Sequence, residues 1–123
     1  MPKIVGYMEG SDSLWLTTLQ ARGFGTLPLG NGVDCHGMNL RLLTRHNRPD
    51  LIVCYLHKLI APRDEDVPPE ELLLPARLFN VPVLVACPQE LHDNARRMLA
   101  VSHDNVELVD PANLLDRAAE LLA

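Results

Sequence analysis

The run Asp50-Leu51-Ile52-Val53-Cys54-Tyr55-Leu56, followed by His57 and Lys58, constrains this chain more than any other stretch. Apolar, partly β-branched residues entered through Pro49-Asp50 spell a strand without a polar face. Such a strand must be buried on both sides, as in a parallel sheet covered by helices on each face. His57 and Lys58 then emerge at its carboxyl end, the edge where open α/β sheets hold ligands.

The segments around it alternate strand and helix. Lys3 to Met8 reads as a first strand, and Glu9-Gly10-Ser11-Asp12-Ser13 as a turn rich in helix-capping side chains. Leu14, Trp15, Leu16 and Leu19 form a helical stripe that Gly23 stops. Gly25 to Leu29 is a short second strand whose Pro28 suits a sheet edge. After the loop Gly30 to Gly37, the residues Met38, Leu42, Leu43 and Arg45 continue as a helix. The longest irregular stretch runs from Leu59 to Pro69. Pro69-Glu70-Glu71 opens an apolar helix through Leu72, Leu73, Leu74, Leu78 and Phe79, which Pro75 should kink unless it lies in the first turn. Val81 to Ala86 is another buried strand, and Cys87-Pro88 opens a helix carrying Leu91, Ala95, Met98 and Leu99. Val106 to Val109 is the last strand. Asp110-Pro111 then caps a terminal helix bearing Leu114, Leu115, Ala118, Leu121 and Leu122.

Five such alternations in 123 residues imply a single α/β domain over residues 1–123. Its expected form is a three-layer sandwich around a five-stranded parallel sheet with right-handed crossovers. The strand order expected is 2-1-3-4-5, that of flavodoxin-like domains. A chain of this length buries a core without disulfides or metal, and with only 4% aromatic residues that core is aliphatic. The net charge of -5 argues against nucleic acid, since phosphate binding needs a clustered basic face. Arg41, Arg45 and Arg48 read as a solvated helix face. No apolar run approaches the roughly 20 residues that span a bilayer, and Pro2-Lys3 leads straight into a strand with no signal-peptide pattern. Three cysteines, Cys35, Cys54 and Cys87, cannot all pair. A reduced cytoplasmic setting is the expectation.

The strand order places a crevice between the first and third strands. Gly10, Ser11, Asp12 and Ser13 flank it on one side, and His57, Lys58 and Arg63 on the other. Hydroxyls and N–H groups at the helix start can receive an anion, and Lys58 or Arg63 can supply the counter-charge. The turn holds Gly10 alone among glycines, so neither the Walker pattern nor GxGxxG is present. Cys87 is the candidate nucleophile. It follows a buried strand and precedes a helix start, where the dipole lowers a thiol pKa, and His92 is near in sequence. The phosphatase spacing of cysteine, five residues, then arginine fails at Asp93. Asp34-Cys35-His36 with His46 offers metal-ligand types, but structural zinc needs a second pair that is missing, so no metal is expected.

Gly23-Phe24, Leu29-Gly30, Pro49-Asp50 and Val81-Pro82-Val83-Leu84 follow the layout of cobalamin-binding domains, which the stretch from Lys3 to Ala86 resembles. That family carries DxHxxG after the first strand. Glu9 to Ser13 contains no histidine, and Asp34-Cys35-His36 has the DxH part after the second strand, so the resemblance implies topology and not cobalt ligation by histidine. A response-regulator receiver is similar in topology as well. It would need an aspartate where His57 stands and a lysine where Asp110 stands. Gly10-Ser11-Asp12-Ser13-Leu14-Trp15 after a first strand resembles the start of the small subunit of diol dehydratase reactivating factors. That resemblance covers about thirty residues and implies a chaperone-like module that exchanges with a dehydratase subunit.

Three functions therefore stand open. One is a non-catalytic accessory or regulatory domain binding a protein partner or a small anionic ligand at the carboxyl edge, with an apolar patch around Leu72 to Leu78 as a homodimer surface. The second is a cofactor-binding module for a corrinoid, flavin or nucleotide. The third is a thiol enzyme using Cys87.

Overall fold

The computed structural model of the chain describes residues 3–8, 11–30, 38–39, 48–56, 59, 69–99 and 105–122. The elements, in chain order, are β1 (Ile4–Met8), α1 (Ser13–Ala21), β2 (Gly25–Gly30), β3 (Met38–Asn39) and β4 (Leu51–Tyr55). They continue with α2 (Pro69–Leu78), β5 (Val83–Ala86), α3 (His92–Leu99), β6 (Val106–Val109) and α4 (Leu114–Leu122). Single 3-10 turns, Gln89–Leu91 and Pro111–Asn113, lead into α3 and α4.

All strand pairs are parallel, in the order β3-β2-β1-β4-β5-β6. The five longer strands thus take the flavodoxin-like order read from the sequence. The addition is β3, which pairs with Leu29 and Gly30 of β2 at the sheet edge. Met38 was expected to begin a helix, and it lies in this strand instead. The remainder of that expected helix, Leu42 to Arg45, lies outside the described residues.

Burial on both faces of β4 is direct. Leu51 and Val53 join one core cluster, with Trp15 and Leu19 of α1 and Leu114, Ala118 and Leu122 of α4. Ile52 and Cys54 join the other, with Leu73 and Ala76 of α2. Alternate side chains of a strand point to opposite faces, so helices must cover both. Each aliphatic side chain buried in this way contributes about 1.5–3 kcal/mol. The same two clusters divide β5, with Val83 and Val85 on one side and Leu84 and Ala86 on the other.

The helix ends use backbone hydrogen bonds the sequence makes available. At the end of α1, Gly23 takes φ +94, and the Phe24 and Gly23 N–H groups donate to the Leu19 and Gln20 carbonyls at 3.0 Å each. That pair of bonds is the Schellman arrangement. Asn80 does the same after α2, at φ 58, with Val81 N–H on the Ala76 carbonyl at 2.8 Å. Pro75 lies inside α2 without ending it; its carbonyl accepts from Phe79 N–H at 3.0 Å.

Gly6 of β1 marks the tightest approach in the sheet. A Cβ there would lie 2.7 Å from Leu29 Cδ1 and 3.0 Å from Pro49 Cγ. Leu29 and Pro49 are both buried, so neither has solvent to move into. Gly6→Ala is expected to cost about 1–3 kcal/mol of stability by overpacking. A urea unfolding midpoint unchanged from wild type would show that this corner yields freely. Among the described residues, no helix is long and apolar enough to cross a membrane.

Candidate functional site

β1 and β4 lie side by side, with Val5 opposite Leu51 and Tyr7 opposite Val53. From β1 the chain winds one way to β2, and from β4 it winds the other way to β5 and β6. The crevice of such a sheet opens outside the carboxyl ends of the two strands where winding reverses. Here those ends are Met8 and Tyr55.

Of the residues expected to line it, Ser11, Asp12 and Ser13 are placed. Gly10, His57, Lys58 and Arg63 lie outside the described residues. The Ser11 hydroxyl donates to the Met8 carbonyl at 2.7 Å, and its N–H donates to the same oxygen at 3.2 Å. Asp12 is the N-cap of α1, its Oδ1 accepting from Leu14 N–H at 2.8 Å. Ser13 is exposed at the first position of the helix.

This geometry alters what the turn can bind. The positive end of a helix attracts an anion, but α1 already holds one, the Asp12 carboxylate. An incoming phosphate would have to displace it or sit beside a like charge. Asp12→Ala should therefore cost about 1 kcal/mol of stability, measurable as a lower thermal midpoint. Asp12→Asn, which keeps an accepting oxygen, should cost less than the alanine variant.

One aromatic side chain, Tyr55, stands partly exposed at the carboxyl end of β4 and packs on the core residue Trp15. Tyr55 ends β4, and its ring centroid lies 5.1 Å from that of Trp15, at 33°. Partial burial, with the Asp12 carboxylate adding to it, pushes the Tyr55 phenol above its ordinary pKa. The sequence suggested a core role for Trp15, which is indeed buried. Tyr55 was read only as part of the buried run, because a periodless apolar strand does not mark which of its last residues reaches the edge.

A second polar group sits at the carboxyl ends of β5 and β6. The Cys87 N–H donates to the Val109 carbonyl at 2.9 Å. Asp110 ties the two loops together. One carboxylate oxygen accepts from Ala112 N–H at 3.0 Å and the other from Gln89 N–H at 3.3 Å. His92 Nε2 lies 2.8 Å from the Cys87 carbonyl oxygen. A carbonyl only accepts, so this contact puts the ring proton on Nε2 and turns that nitrogen away from a role as base.

The Cys87 thiol was expected to be lowered by a helix start. Instead, burial pushes it up, and Glu90 and Asp110 add to the rise. The segment after Pro88 is a 3-10 turn of three residues with no side-chain cap, so little helix dipole faces the sulfur. No protein-family model matches this chain, and no curated protein matches it. Among the described residues, no group of three or more histidines, cysteines or acidic side chains is placed to hold a metal. The expected ligand types at Asp34, Cys35, His36 and His46 lie outside those residues.

Among the described residues, the charged side chains of the carboxyl edge are the acids Asp12, Glu90 and Asp110, and most of its polar groups are tied to backbone. Ser11, Asp12, Asp110 and His92 each bond to the backbone of the edge that carries them. These hydrogen bonds occupy the polar groups of Ser11, Asp12 and Asp110 and the Nε2 of His92.

Proposed function

We propose that the chain is an accessory or regulatory α/β module whose carboxyl edge, at the β1–β4 crevice, docks a protein partner. The observation that carries this reading is the engagement of Ser11 and Asp12 with the Met8 carbonyl and the Leu14 N–H. Both side chains build the rim, and the charge they leave on it is negative. A partner offering basic and hydrogen-bonding groups fits that rim better than a small anion does. Side chains already held by hydrogen bonds lose less freedom on docking.

Capture experiments with wild type, Ser13→Arg and Arg22→Glu test it. Ser13 stands at the crevice, whereas Arg22 caps the far end of α1. A specific partner should be lost with Ser13→Arg and retained with Arg22→Glu. The reverse pattern would place docking at the other edge and overturn the assignment.

A second reading, a module for a ring-bearing cofactor such as a corrinoid, flavin or nucleotide, rests on Tyr55, partly exposed at the carboxyl end of β4. Native followed by denaturing mass spectrometry separates the two. The docking reading expects the bare chain mass in both conditions, and a mass shed only on denaturation would favour the cofactor. The thiol-enzyme reading needs a depressed Cys87 pKa. With the thiol pushed up and buried, iodoacetamide should label Cys87 more slowly at neutral pH than a free thiol of pKa about 8.5. Faster labelling would restore the enzyme reading.

A further inference from the structure

α2 presents one ridge to solvent. Leu74, Arg77 and Leu78 stand at helical spacing i, i+3 and i+4, all exposed, with Leu78 at 68% and Leu74 at 42%. Leu73 and Ala76 take the opposite face into the core, and the outer leucines stay accessible. Arg48, also exposed, donates to the Phe79 carbonyl just past the helix end. The end of α2 is thus an apolar strip rimmed by arginines. Among the described residues, Arg77 makes no ion pair.

At the opposite end of β5 stands its complement. The turn Gln89–Leu91 carries Leu91 at 47% exposure beside an exposed Glu90. Glu90, like Arg77, has no ion-pair partner among the described residues. β5 has four residues, about 13 Å of strand at the usual rise, and it holds the two patches apart within one molecule. They meet only between molecules.

We infer that the Leu74–Arg77–Leu78 ridge of one copy receives the Glu90–Leu91 turn of a second copy, giving head-to-tail self-association. In this head-to-tail form the interface is heterologous, so it extends from copy to copy past the dimer, as an open chain or a ring. Charge complementarity selects this orientation. A chain of net charge -5 repels its copies in most approaches, but here a basic rim meets an acidic turn. The ridge lies at the end of the sheet away from the β1–β4 crevice, while the turn lies on the crevice's own edge, after β5.

Sedimentation velocity over a concentration series tests the inference. At low ionic strength the mean mass should rise with concentration and pass the dimer without a plateau. At about 1 M salt, where the screening length is about 3 Å, it should fall back toward the monomer. Arg77→Glu and Glu90→Arg alone should each weaken association at least about tenfold. An equimolar mixture of the two should restore it, since each mutant edge then meets its opposite charge. Restoration cannot arise from misfolding, and circular dichroism of each variant confirms the fold. A monomer at every concentration, a mass that stops at the dimer, or a mixture that stays dissociated would each overturn the inference.

Discussion

Ile52→Ala is expected to lower the unfolding free energy by about 2–5 kcal/mol, and Val53→Ala by about 1.5–3 kcal/mol. The two residues are neighbours in β4 whose side chains enter different core clusters. In a sheet with one wet face, one of the two substitutions would be nearly silent. In this sheet both should be costly, because helices cover both faces. Leu14→Ala supplies the contrast. Leu14 is 64% exposed, and its truncation should stay within about 0.5 kcal/mol. Urea midpoints of the three variants decide the matter. A silent Val53→Ala would mean that α1 and α4 do not pack on the sheet in solution.

That strand was legible because its signal is local and redundant. An apolar run with β-branched residues has few homes other than a doubly covered strand, and the alternation around it fixed the order of the five longer strands. β3 was not legible, since two residues carry no period. Met38 also began an apolar spacing with Leu42 and Leu43 that reads as helix. α1 shows a finer miss. Leu14, Trp15, Leu16 and Leu19 all looked like core, but adjacent residues on a helix point about 100° apart, and the sheet took Trp15 and Leu19. Leu91 was read into the apolar stripe of its helix in the same way and is exposed, whereas the exposure of Leu74 and Leu78 agrees with the apolar patch expected around Leu72 to Leu78.

The site was less legible than the fold, for a related reason. Asp12 as a cap follows from its position before an apolar stripe. The tie between Asp110 and the Gln89 N–H does not, because those residues become neighbours only when β5 and β6 pair. The environment of Cys87 shows the same limit. Position after a strand suggested a helix start and a lowered pKa, yet the sulfur is buried, next to a short 3-10 turn and facing Glu90 and Asp110. His92 was close in sequence to the thiol and bonds its backbone carbonyl instead. Charge and burial around a side chain depend on tertiary neighbours, and a single sequence records those only through the order of its strands.

The other described thiol gives the larger pH effect. Cys54 is fully buried in β4 among apolar side chains, with Leu84's carbonyl 3.9 Å from its sulfur. Burial pushes its pKa from 9.0 to about 12. In the unfolded chain the thiol releases its proton above about pH 9, while in the fold it keeps it until about pH 12. The folded state then binds more protons across that window, so stability is fully present below pH 9 and declines as pH rises toward 12. The loss approaches 1.4 kcal/mol per pH unit for this one group. Other groups titrate in the same range, so the measurement is a difference. Unfolding free energies of wild type and Cys54→Ala should run parallel below pH 9, offset by the small cavity left by the sulfur. Above it they should converge, because the variant has no thiol at that position to ionise. Curves that stay parallel to pH 11 would show that the Cys54 thiol ionises as readily in the fold as out of it. Water would then reach the carboxyl half of β4, and the two covering layers would be looser there than the buried strand implies.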